Sequence, residues 1–157
     1  MNIIFLDIDG VIVTHRSSFK GVRQPDSTAC DMIISLCTDY NAKIVISSVW
    51  RKQSLENIIS AYNHQCWQKL YTFLHTNWRT SDSNASFRGD EIKEWLDHNQ
   101  VDNYIIFDDD SDFQDAQKSH LILTNGYNGI SFGNYMQAVE ILSGHNQQLF
   151  KQLNEWK

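Results

Sequence analysis

Apolar residues along this chain fall into short continuous runs that alternate with helix-spaced stripes. The run Ile3-Ile4-Phe5-Leu6 predicts a buried first strand over residues 2–7. Residues 12–25 have weak periodicity and carry Thr, His, Arg, Ser, Gly and the single proline, so they read as an excursion or small flap. Pro25-Asp26 then opens a helix whose apolar face holds Ile33, Ile34, Leu36 and Cys37. The β-branched run Ala42-Lys43-Ile44-Val45-Ile46 predicts a second strand that ends at Ser47-Ser48. A helix is expected over about 52–63, with Leu55, Ile58 and Ile59 facing inward. Residues 64–87 are the least legible part. Leu70 to Leu74 is expected as a third strand and the whole stretch as a partial lid, with a polar loop over 80–86. Ile92, Trp95 and Leu96 mark a helix beginning near Gly89. Tyr104-Ile105-Ile106-Phe107 and His120 to Leu123 read as the last two strands, and a helix follows around 134–143. In the tail 145–157, Leu149, Phe150, Leu153 and Trp156 recur every three or four residues, which suits a docked amphipathic helix. Strands alternating with helices predict βαβ units, hence an α/β fold with a mostly parallel five-stranded sheet in one domain over 1–157.

Composition narrows the function. The chain has 157 residues, 41% hydrophobic and 20% charged, which is ordinary for a globular domain with a real core. Its net charge of -6 and pI near 5.4 argue against holding long nucleic acid by charge alone, so any such contact is expected with a short stretch or an end. No run approaches the roughly 20 apolar residues of a membrane span. The first residues lack a basic segment followed by an apolar one, so a cytoplasmic location is expected. Cys30, Cys37 and Cys66 form no Cys-x-x-Cys pair and are expected as core or near-core thiols.

Three predicted strands end in site-like polar residues: Asp7 and Asp9, Ser47 and Ser48, Asp108 and Asp109. Parallel strands place such ends along one edge of the sheet, where open α/β proteins build their sites. Alternation along an extended chain points Asp7 and Asp9 the same way, with Ile8 turned into the core. Charges set directly behind a buried strand need partners, and a divalent cation is the simplest one. Any one cluster alone reads as a turn or a cap. Together they indicate metal-assisted phosphoryl transfer.

These residues carry a resemblance. Asp7-Ile8-Asp9-Gly10-Val11, Ile44-Val45-Ile46-Ser47 and Ile105-Ile106-Phe107-Asp108-Asp109 resemble the first, second and fourth motifs of haloacid dehalogenase (HAD) superfamily phosphatases. The closer likeness is to the small phosphatase domains of RNA-repair proteins. It is carried by Ser47-Ser48-Val49-Trp50-Arg51, by Arg88-Gly89-Asp90-Glu91-Ile92-Lys93-Glu94-Trp95-Leu96 and by Asp108-Asp109-Asp110. The phosphatase half of phage polynucleotide kinase is a more distant relative. The resemblance covers roughly residues 2–142 and implies a three-layer, Rossmann-like fold with a minimal cap.

It also implies roles. Asp7 is the expected nucleophile, forming an aspartyl-phosphate. Asp9 is the expected general acid and then base, kept protonated by its neighbour's charge. Mg²⁺ is the implied cofactor, held by Asp7, the Asp9 backbone and Asp108 or Asp109. Ser47, or else Ser48, would hydrogen-bond a phosphate oxygen, with Gly10 and Arg51 also at the substrate. Arg88 is the first choice for the charge-neutralising cation and Lys93 the second. Trp95, Glu91 and Glu94 read as structural, and Trp50 as core or base-stacking. His15, Arg16 and Arg23 in the flap read first as surface residues and second as substrate contacts. The expected activity is a phosphatase on a phosphorylated substrate, a nucleic-acid end or a nucleotide. A small-molecule or phosphoprotein phosphatase, and a non-catalytic binding domain of the same fold, stay open at this point.

Overall fold

The computed structural model describes residues 1–82 and 87–144. Five strands lie in one sheet: β1 (Asn2–Leu6), β2 (Ala42–Ile46), β3 (Leu74–Arg79), β4 (Asn103–Asp108) and β5 (Leu121–Leu123). Their order is β3-β2-β1-β4-β5 and every pairing is parallel. The α-helices among the described residues are α1 (Ser27–Asp39), α2 (Leu55–Ser60), α3 (Gln65–Leu70), α4 (Arg88–His98) and α5 (Phe132–Leu142). From β1 the chain builds outward to β2 and β3, then returns to place β4 on the other flank of β1. The crevice beyond the carboxyl ends of β1 and β4 is therefore a topological switch point.

The period of two along the strands sorts their side chains into two layers. Ile4 and Leu6 of β1, Ile44 and Ile46 of β2, and Ile105 and Phe107 of β4 pack with Ile33 and Leu36 of α1 and Val139 and Leu142 of α5. Ile3, Phe5, Val45 and Ile106 face the other way, onto Ile92 and Trp95 of α4 and onto Phe113. Both faces are covered, which is why the central strands read as unbroken apolar runs. Trp95 stands edge-on to Phe5 at 5.4 Å and donates its indole N–H to the Asn77 carbonyl at 2.9 Å. Cys30 and Cys37 are buried and free, and burial pushes each thiol up to about 12.

Two expectations are corrected here. The helix over 52–63 is shorter and split. A 3-10 turn at Val49–Lys52 precedes α2, and the hydroxyls of Ser48 and Ser54 accept the Trp50 and Asn57 N–H groups, so each serine caps the start of its own short element. The third strand is not 70–74, and within the expected partial lid of 64–87 the first part packs into the domain as regular elements. Trp67, Leu70 and Tyr71 are buried by α3 and the 3-10 turn at Tyr71–Phe73, and Leu74–Arg79 forms the edge strand. That strand hides its nature because Thr76 and Asn77 face solvent. Residues 83–86 of the expected polar loop and the tail 145–157 lie outside the described residues. Among the described residues, no helix is long and apolar enough to cross a membrane.

Gly89 lets the first turn of α4 touch the segment after β4. A Cβ there would lie 2.8 Å from Gln117 Oε1 and 3.0 Å from the Gln114 backbone nitrogen. Gly89→Ala is expected to destabilise the fold by about 1–3 kcal/mol in urea unfolding. Gly133→Ala in α5, where a Cβ meets only Ser131 Oγ at 3.5 Å, is expected to be neutral or to stabilise by up to about 1 kcal/mol.

Candidate active site

β1 ends at Leu6, yet the Asp7 N–H still donates to the Phe107 carbonyl at 3.0 Å. Asp7 thus stands at the sheet edge beside Asp108, the last residue of β4. The chain then turns sharply, with the N–H groups of Ile12 and Val13 both reaching the Ile8 carbonyl, at 2.9 and 3.0 Å. Gly10 makes that turn in the left-handed region, at φ +80°. Its missing side chain also leaves room for Asp109. A Cβ on Gly10 would lie 2.2 Å from Asp109 Oδ2, and one on Gly126 2.8 Å from the same oxygen. Thr124 ties the edge together, its N–H donating to the Asp108 carbonyl at 2.8 Å and its hydroxyl to the Gly10 carbonyl at 2.9 Å.

One carboxylate oxygen from each of Asp7, Asp108 and Asp109 lies within 4.8 Å of the others. Asp7 and Asp108 are 5% and 0% exposed. Burial first, and the charge of Asp108 second, push the Asp7 carboxyl up to about 7. The Arg88 guanidinium, the Ile8 N–H and the Ser48 hydroxyl pull it the other way. Burial raises Asp108 as well, against the opposing pull of Arg88 and the Asp110 N–H. Arg88 Nη1 pairs with Asp108 and lies 3.4 Å from Asp7 Oδ2. Burial works against its charge, but the two carboxylates outweigh that and hold its pKa up. Three hard oxygen donors facing one arginine leave an excess of negative charge, and that donor set fits a hard dication such as Mg²⁺.

Residues 3–133 match the family model described as the HAD domain in Swiss Army Knife RNA repair proteins. The chain belongs to this family. No curated protein and no solved structure gives a significant match. The matched segment runs from β1 into α5 and reaches all five strands. Membership in the HAD superfamily suggests a hydrolase of the phosphatase type.

Around the acids, this HAD domain has an open cavity of about 970 Å³, lined among others by Asp7, Asp9, Gly10, Arg88 and Asp109. Asp9 lies outside the three-carboxylate cluster. Its carboxylate accepts the Trp50 indole N–H at 3.0 Å and pairs with Arg23 from the flap. The expected repulsion between Asp7 and Asp9 is thus replaced by repulsion between Asp7 and Asp108. Ser48, whose hydroxyl helps to lower the Asp7 pKa, is fully buried. Ser47, one residue past the Leu6–Ile46 pairing, is also fully buried, and its hydroxyl has no partner among the described residues.

Arg51 and Lys93 stand elsewhere. The Arg51 guanidinium turns inward to Glu91 at 2.7 Å and the Ser48 carbonyl at 3.0 Å, so it braces the Ser48 turn from behind. Lys93, about 140° around α4 from Arg88 at 3.6 residues per turn, is exposed and pairs with Asp97. Sequence reasoning missed Glu91 as a buried ion partner and Trp50 as a partner of Asp9. It also missed the loop Thr124-Asn125-Gly126-Tyr127, which lines the cavity. That loop carried a usable signal, since it too is a polar, Gly-containing stretch directly behind a strand.

Asp7 gives a pH prediction for the metal-free protein. Its carboxyl titrates near 7 when folded and near 3.8 as a free side chain. Between those values the folded state binds the extra proton, so this group's contribution to stability is full below pH 3.8 and falls as pH rises to 7. The loss is on the order of 4 kcal/mol. In thermal melts with chelator, Asp7→Asn is expected to raise Tm at pH 8 and to change it little near pH 4. Added Mg²⁺ is expected to raise the parent's Tm at pH 8 and the variant's far less.

Proposed function

We propose that this chain is a Mg²⁺-dependent phosphomonoesterase acting on a phosphorylated nucleic-acid end or nucleotide. The observation that carries the reading is the gathering of Asp7, Asp108 and Asp109 within 4.8 Å, with Arg88 lying across Asp7 and Asp108. Asp7, Asp108 and Asp109 would hold the ion, with the Asp9 carbonyl as a further donor. When bound, it draws charge from the phosphoryl oxygens and offsets their repulsion of the carboxylates.

The remaining work falls to side chains. A carboxylate oxygen of Asp7 attacks phosphorus, and the ester P–O bond breaks as the Asp7–phosphorus bond forms. Asp9 gives its proton to the departing alkoxide. Water then attacks the aspartyl-phosphate, Asp9 takes the proton, and the Asp7–phosphorus bond breaks to release inorganic phosphate. Trp50 and Arg23 orient Asp9 toward the cavity. Arg88 opposes the rise in the Asp7 pKa, which keeps a usable fraction of the nucleophile ionised. The Ser47 hydroxyl, buried and without a partner among the described residues, would need local opening of the second strand end to reach a phosphate oxygen. The connection from β1 to α1 is a loop of turns with no inserted domain, which suits a bulky leaving group. The family description supports an RNA-related substrate.

Phosphate release from p-nitrophenyl phosphate is expected with Mg²⁺ and not with chelator. Asp7→Asn is expected to fall to background, and Asp9→Asn to lose about 10²–10⁴-fold in kcat. Gly10→Ala, which drives a methyl group into Asp109, is expected to weaken Mg²⁺ activation. Oligonucleotides with a 3′- or 5′-phosphate are expected to be better substrates than sugar phosphates or phosphopeptides. A preference for a metabolite overturns the substrate assignment, and no turnover with any divalent metal overturns the enzyme assignment.

A further inference from the structure

Two loops that line the cavity carry aromatic side chains, His15 and Tyr127, that phosphate chemistry leaves idle. His15 and Ser18 come from the flap, and Asn125, Gly126 and Tyr127 from the loop behind β5. The rings of His15 and Tyr127 lie 5.0 Å apart, tilted by 34°. Tyr127 leaves 68% of its surface in water, yet its backbone is held on both sides. Its N–H donates to Asn125 Oδ1 at 2.9 Å, and its carbonyl accepts the Arg16 N–H at 2.9 Å. Gly129, at φ +72°, brings the same loop so close to the flap base that a Cβ would lie 2.4 Å from the Val11 carbonyl. The Ile130 N–H seals that contact by donating to the same carbonyl at 3.2 Å. A large π-face is therefore kept wet, on a fixed backbone, in the wall of the cavity that holds Asp7 and Asp9. A core residue would be covered, and a solvated loop tip would not be pinned.

We propose that Tyr127, backed by His15, is the specificity-determining platform on which the leaving group stacks, and that this leaving group carries a nucleobase. The proposal rests on the phosphatase reading and deepens it, because a flat heteroaromatic base matches the ring where a polyol or peptide does not. Cavity size permits it, since about 970 Å³ lies within the range that encloses small ligands. Stacking is indifferent to base identity, because each base has a π-face. Weak base preference is therefore expected.

The test uses the full chain with Mg²⁺. Ethenoadenosine 3′- and 5′-monophosphates, titrated into Asp7→Asn protein, report stacking by loss of base fluorescence. Quenching is expected. At about 1–3 kcal/mol per stacked base, adding Tyr127→Ala weakens the probe's Kd about tenfold, whereas Tyr127→Phe stays within about twofold. In turnover, the ratio of kcat/KM for adenosine monophosphate over glycerol phosphate is expected to fall about tenfold in Tyr127→Ala, through KM. A parent chain that hydrolyses neither ester overturns the phosphatase reading and the platform with it. A parent that hydrolyses both, with the ratio unmoved in Tyr127→Ala or the probe unquenched, overturns the platform alone.

Discussion

Two carboxylates, Asp7 and Asp108, are held side by side at the ends of adjacent parallel strands, almost wholly out of water. Charges placed like this oppose each other and lose their hydration, so neither ionises freely. The upward shift of Asp7 to about 7 records that cost. Arg88 offsets part of it from the first turn of α4. Asp109 adds a third carboxylate from the next position of the chain. The result is a site that favours a cation and is least comfortable without one. That tension links the sheet topology to the chemistry, since only the β1–β4 neighbourhood brings these residues together.

The surrounding scaffold serves to keep the acids where they are. Gly10 and Gly126 leave the space that Asp109 occupies. Thr124 bonds both the Asp108 and Gly10 carbonyls, joining three strand ends through one side chain and its own N–H. Gly89 lets α4 approach the segment after β4, and Gln117 Nε2 donates to its carbonyl at 2.8 Å. That contact sets the height of Arg88 above the acids. Behind the second strand end, the buried Arg51–Glu91 pair holds the turn that presents Ser48 to Asp7. Breaking such a pair leaves one charge buried alone, which is far costlier than losing a surface ion pair. Arg51 thus acts at a distance from the cavity, through backbone position.

Much of this was legible before any coordinates. The central strands announced themselves because burial on both faces demands apolar residues at every position, as in Ile3-Ile4-Phe5-Leu6. Their polar ends stood out by contrast. The edge strand Leu74–Arg79 did not, because one-sided burial leaves Thr76 and Asn77 wet and dilutes the apolar signal. The broken helix over 49–60 was missed because serine hydroxyls there cap short turns, a preference weaker than the apolar spacing that suggested one long helix. Glu91 looked like a first-turn acid, and its local sequence holds nothing that distinguishes a dipole partner from a buried ion partner.

The linear order of residues by itself determined the cores of the central strands, the polar type of their ends and the crowding of acids near Asp7. These follow from local rules: period, turn propensity and the penalty for hiding charge. Tertiary structure alone decided which acids share one space, which of Arg88 and Lys93 reaches them, and that Arg51 faces Glu91. Those outcomes depend on helix rotation and on strand adjacency across some hundred residues, distances over which sequence spacing carries no geometry. Asp7 and Asp108 become neighbours only because β4 returns to the open flank of β1.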